Sequence, residues 1–204
     1  MTRSLEVAIQ NVDEFLEKGV LETSNREGFL KFLQSFSSFV EGHHLVEDEK
    51  VFPYFMDKLP KVPYKGLMDQ HKEIEAALQE INNGITGLRT QKDELWSLKL
   101  FKSGLGQIDE IWQPHIRIED SQLYTLVGSL KINSKEMIRL INEVSELFQE
   151  HTGPPYLIAP FILYNLSPED RAIQAKGFPE IVIEQLVPID WKDKWAPMQP
   201  YLLK

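Results

Sequence analysis

Cysteine is absent from all 204 residues. That removes disulfides, thiolate nucleophiles, sulfur-ligated zinc and Cys-held iron–sulfur clusters together. A chain of this length buries about 70% of its unfolded surface, so it needs no covalent staples. No run of Lys and Arg occurs either: 22 basic residues face 31 acidic ones, for a formal charge of −9. Nucleic acid and anionic membranes are therefore not expected partners. The longest apolar stretch, around residues 156–166, is too short to cross a bilayer. The opening run MTRSLEVAIQNVDEF holds no apolar signal core. A cytoplasmic location is the expectation. No Ser/His/Asp order, phosphate-cradling glycine loop or HExxH is found, nor any internal repeat.

What is present is helical patterning. Apolar residues recur at steps of three and four, with no sustained alternation before residue 180. Leu5, Ile9, Val12 and Leu16 form the first stripe, which stops near Gly19. Asn25 and Glu27 open a second, with Phe29, Leu33, Phe36, Val40, His43 and Glu47 on one face, until Pro53 kinks or ends it. The third runs Tyr64, Leu67, His71, Ile74, Leu78, Ile81 and Ile85, loosened by Gly84 and Gly87. Thr90 and Asp93 read as the cap of a fourth, which carries Leu105, Ile108, Ile111, Trp112, His115, Glu119, Leu123 and Leu126. Four long amphipathic stretches with short connections predict an all-α, up-and-down four-helix bundle over residues 1–131.

Composition shifts beyond that point. Asn133 and Glu136 start a fifth helix that ends near His151, whose ring is expected to serve terminal carbonyls. Eight of the twelve prolines fall in the last 51 residues. Ser167-Pro168-Glu169-Asp170 combines a hydroxyl cap, a first-turn proline and acids at the positive helix end. Tyr156, Phe161, Tyr164, Trp191 and Trp195 are too many aromatics for a solvated tail. Residues 132–204 are expected to form a helical extension packed on the bundle.

The histidines point to chemistry. With acids at 31 of 204 positions, five histidines should meet an acid four residues on less than once by chance, yet four do. The pairs are His43/Glu47, His44/Asp48, His71/Glu75 and His115/Glu119. That spacing sets both side chains on one helix face, one turn apart, where they chelate a cation or pair at the surface. Stepping back from His43 meets Val40, Phe36 and Leu33, so His43 and Glu47 continue the buried seam. Stepping back from His44 meets Glu41 and Ser37, so His44 and Asp48 are placed on a polar face. His71 lies between Leu67 and Ile74, and His115 follows Ile108 and Ile111. Three helices thus turn a His inward and two add a Glu. Carboxylates alone in such a core cost several kcal/mol, of order 3–5, and a shared metal removes that cost. The alternative is a buried network of protonated or mutually paired groups. Imidazoles and carboxylates without sulfur suit iron, manganese or zinc.

The run His43-His44-Leu45-Val46-Glu47-Asp48-Glu49-Lys50-Val51-Phe52-Pro53 resembles the HHxxEExxxFP signature of hemerythrin-like, HHE cation-binding proteins. Gln70-His71 and the HxxxE of His115 and Glu119 resemble the later elements of that family, in the same order. The resemblance covers about residues 1–130. It implies a non-haem iron centre of one or two ions. His43 would be a terminal imidazole, Glu47 and Glu119 bridging carboxylates, and His71 and His115 imidazoles on the second ion. It implies oxygen or iron sensing, iron storage, or binding of dioxygen, another small diatomic or peroxide. A ferroxidase or peroxide-handling di-iron oxidase at the same residues is a second reading, and a metal-free helical interaction module a third. One departure stands out. Family members supply a further His from the first helix, and no His precedes position 43 here; Leu5 falls where it is expected. Glu75 is the candidate substitute, and Asp48 and Glu49 read as supporting or surface groups.

Overall fold

The computed structural model describes residues 1–19, 23–90 and 93–203; among them no strand occurs. The first element, α1 (Thr2–Lys18), ends on Gly19, whose φ of 67° is the left-handed conformation that closes a helix. The next, α2 (Thr23–Val46), runs into a π turn (Glu47–Val51) and then α3 (Phe52–Met56), with Pro53 in the first turn of α3. The helical backbone is unbroken through Val51 and Phe52, and the π turn just before Pro53 marks where the ladder adjusts to a residue that cannot donate. Then come α4 (Tyr64–Arg89) and α5 (Glu94–Ile118), the latter capped by Asp93, which accepts from Leu95 N–H. Thr90, expected in that cap, instead closes α4. A second π turn (Glu119–Tyr124) and the short α6 (Thr125–Val127) follow α5.

Long-range contacts set the directions. Asp13 meets Lys102 and Thr2 meets Trp112, so α1 runs antiparallel to α5. Gln34 meets Arg89 and Glu41 meets Asn82, so α2 runs antiparallel to α4. The glycines expected to loosen the third stripe do the opposite. A Cβ on Gly84 would lie 2.5 Å from the Phe101 ring and one on Gly87 2.6 Å from the Ser97 hydroxyl; on α5, one on Gly104 would lie 2.6 Å from the Ala77 carbonyl oxygen. Their missing side chains let α4 and α5 approach closely.

The C-terminal segment contains α7 (Ser134–His151), α8 (Pro155–Tyr164), α9 (Pro168–Gln174), a π-helical stretch (Val182–Asp190), α10 (Lys192–Trp195) and a closing 3₁₀ stretch (Ala196–Tyr201). Asn133 caps α7 and Ser167 caps α9, and the His151 ring lies 3.0 Å from the Leu147 carbonyl oxygen at the end of α7. Phe161, Trp195, Met198 and Tyr201 are buried in the same core as Phe29, Phe32 and Phe36. At Gly28 a Cβ would meet the Pro197 carbonyl at 2.0 Å, and at Gly42 it would meet Thr152 at 2.3 Å. Helix α2 is therefore wrapped by α4 on one side and by the C-terminal segment on another. Two of its serines, Ser35 and Ser37, are buried as well. No helix among the described residues is long and apolar enough to cross a membrane.

Candidate metal centre

Two apolar clusters stack along the bundle, and the histidines lie where they meet. On α4, His71 separates Leu67 of one cluster from Ile74 of the other. At the end of α5, His115 and Glu119 separate Trp112 from Leu123; at the end of α2, His44 and Glu47 separate Val40 from Phe52. His71, His115, Glu47 and Glu119 are all at most 2% exposed. One ligand atom from each of these four lies within 4.8 Å of the others. His115 Nε2 is 3.1 Å from Glu119 Oε1, and His71 Nε2 is 3.7 Å from Glu47 Oε2 and 3.9 Å from Glu119 Oε1. His43 stands at the margin, 26% exposed, with Nε2 3.4 Å from Glu47 Oε2.

His44 corrects the sequence reading. Expected on a polar face, it is 6% exposed, and its ring lies parallel to His71 at 4.0 Å. The reason is the enclosure of α2, whose polar residues have α4 beside them instead of water. Asp48, placed on the same face, reaches His71. Phe29, Leu30, Phe32, Leu33, Phe36 and Phe39 span more than one face of α2, and that density was the available signal of a helix covered all round. Glu75 and Glu49 are exposed and bring nothing to the cluster. Leu5 is 1% exposed in the larger core, offering no donor atom. Leu126, read on the fourth seam, is 37% exposed. The π turn after Glu119, with i→i+5 bonds, shifts the register of everything beyond it.

Both HxxxE pairs place their glutamate at the first residue of a π turn, a deformation common at functional sites. Each inward ring is also held from behind. His71 Nδ1 donates to Asp48 Oδ1 at 2.8 Å, and His115 Nδ1 donates to Gln70 Oε1 at 3.1 Å. Gln70 had no role in the sequence reading beyond its match to a motif. These bonds fix the tautomer and aim each Nε2 into the cluster, the arrangement that metal-ligating histidines use. On the other side, the Tyr124 hydroxyl donates to Glu47 Oε1 at 2.5 Å. Phe52 lies against His71 and Trp112 against His115, keeping water out.

The charges are unevenly shared. Burial, and then the neighbouring Glu119 charge, push the Glu47 carboxyl well above the usual range. Burial also opposes the charge on Glu119, but the His115 and His71 imidazoles outweigh it and hold Glu119 well below that range. For His71, burial is overcome by Asp48 and the glutamates, raising its pKa to about 9. Burial, aided by the nearby histidines, lowers His43 to about 4 and His44 further still. Burial and the Glu47 charge raise Tyr124.

A cation fits this donor set. The buried atoms His44 Nε2, Glu47 Oε2, His71 Nε2, His115 Nε2 and Glu119 Oε1 are close together, yet none makes a hydrogen bond within the protein. Bare polar atoms in a core each cost about 1–3 kcal/mol. Here they are imidazole nitrogens and carboxylate oxygens without sulfur, suited to iron, manganese or zinc. The chain matches the family model of the Hemerythrin HHE cation binding domain over residues 3–127. No curated protein and no solved structure matches it.

Proposed function

The chain belongs to the hemerythrin HHE cation-binding family, and from that premise we propose that its buried cluster holds non-haem iron, as one or two ions, for sensing, storage or small-ligand binding. In this reading His43, Glu47, His71, His115 and Glu119 would hold the iron, with Glu47 and Glu119 the carboxylates that would serve both ions if two are bound. The bundle of residues 1–131 carries the site and residues 132–204 enclose α2 from outside. One observation supports the reading most: five buried ligand-type atoms from three parts of the chain converge at ion-pair distance, with no well-formed hydrogen bond to any of them.

Bound there, iron supplies a redox change and coordination positions open to a small ligand such as dioxygen or peroxide. The protein's own groups prepare the place. Asp48 and Gln70 orient two rings, Tyr124 leaves one oxygen of Glu47 free, and Phe52 and Trp112 exclude water. The test is metal analysis by mass spectrometry on protein purified anaerobically. Between one and two iron ions per chain are expected. Traces only, with no uptake of added Fe(II), Mn(II) or Zn(II), would overturn the reading.

A further inference from the structure

One buried imidazole has no place in that ligand set. His44 is 6% exposed, its Nε2 is buried, and no hydrogen bond reaches that atom. Its ring lies parallel to His71, 7° off and 4.0 Å between centroids, and crosses His115 at 70° and 5.5 Å. Ligand nitrogens of His44, His71 and His115 lie within 4.8 Å of one another. Stacking on His71 accounts for the face of the His44 ring. It does not account for a bare ring nitrogen among two others, because a purely packing role is met more cheaply by an apolar ring.

Resting on the metal reading above, we propose that His44 is itself a ligand, the third imidazole beside His71 and His115 on one ion. That ion then has three imidazoles and access to both glutamates, whereas the other has His43 and the same glutamates. The two positions are unequal, and the first fills alone. The third imidazole also answers the missing first-helix histidine: the nitrogen comes from α2, next to His43, where the rings of His71 on α4 and His115 on α5 cover it.

The probe is Co(II), added to metal-free protein and followed by calorimetry, with X-ray absorption on the one-equivalent form to count imidazoles. The unmodified protein should show one tight ion with three imidazoles. His44→Phe keeps a flat ring against His71 without a ligand nitrogen, so it should fold as the parent does. Its affinity for the first Co(II) should drop by more than about 100-fold, beyond the roughly 10–100-fold that follows loss of an outer supporting partner. Its imidazole count should fall to two. His44→Ala should repeat the loss; should it fail to fold, His44→Phe decides. Unchanged affinity and count in His44→Phe would make His44 a stacking partner and overturn this inference, leaving the metal reading intact. An unmodified protein that takes up no Co(II) would overturn both.

Discussion

Asp48 and His71, 23 residues apart, meet at 2.8 Å, Asp48 Oδ1 accepting from His71 Nδ1. The bond ties the end of α2 to the middle of α4. It leaves the other nitrogen of the ring, Nε2, turned toward Glu47 and Glu119. Asp48 therefore holds the edge of the His71 ring that faces away from the cluster, while His44 and Phe52 pack on its faces.

Removing that hold should weaken metal binding without removing a ligand. Asp48→Asn keeps the shape but weakens the bond to the ring. Affinity for Fe(II) or Co(II) should fall about 10–100-fold, with the fold unchanged by circular dichroism. An affinity equal to that of the parent in calorimetry would show that packing alone orients His71.

The same pair gives a pH dependence. The folded protein raises His71 from 6.5 to about 9, so it binds this proton more tightly than the unfolded chain does. The associated stability is complete below pH 6.5 and is lost as pH rises through about 9. In metal-free protein, Asp48→Asn should cost about 1–3 kcal/mol at pH 6, and the gap should close by about pH 10. A metal ion needs His71 Nε2 without its proton, so affinity should rise by about tenfold per pH unit between pH 6 and 8. Urea denaturation and metal titration across the range test both. A gap that stays level with pH would show that Asp48 does not hold the charge.

The two glutamates should answer differently to one substitution. Glu47 is pushed toward its neutral form, so Glu47→Gln in metal-free protein should change stability by less than about 1 kcal/mol at pH 7. Glu119 is held ionised between imidazoles, and Glu119→Gln should cost about 1–3 kcal/mol. Both variants should lose most of the bound metal. Equal costs in chemical denaturation would show that the charge is not divided in this way.

Two glycines of α5 separate packing from propensity. Gly104→Ala drives a Cβ into the Ala77 carbonyl, 2.6 Å away, and should cost about 1–3 kcal/mol as α4 and α5 are forced apart. Gly106 has open space where a Cβ would stand. Gly106→Ala should stabilise the helix by about 0.5–1 kcal/mol. Thermal melts of the two variants should shift in opposite directions. A destabilised Gly106→Ala would contradict this placement of the α5 surface.

The sequence by itself determined the helical class, the caps at Asp93, Asn133 and Ser167, and the turning inward of His71, His115, Glu47 and Glu119. Those features depend on neighbours three or four residues away, and a helix carries that spacing directly into space. Which face of α2 meets water depends on other parts of the chain. Glu41 and His44 read as a solvated stripe, but α4 and a segment more than a hundred residues later cover that helix, so its polar residues face protein. The partners that orient the site, Asp48 on His71, Gln70 on His115 and Tyr124 on Glu47, join residues 23 to 77 positions apart. No local period encodes such pairs. The two π turns shift the register just where the glutamates stand, so a pattern projected at helical spacing misplaces residues beyond them, as it did Leu126. Only the packing of the helices against one another settled those positions, because burial is a property of what surrounds a residue.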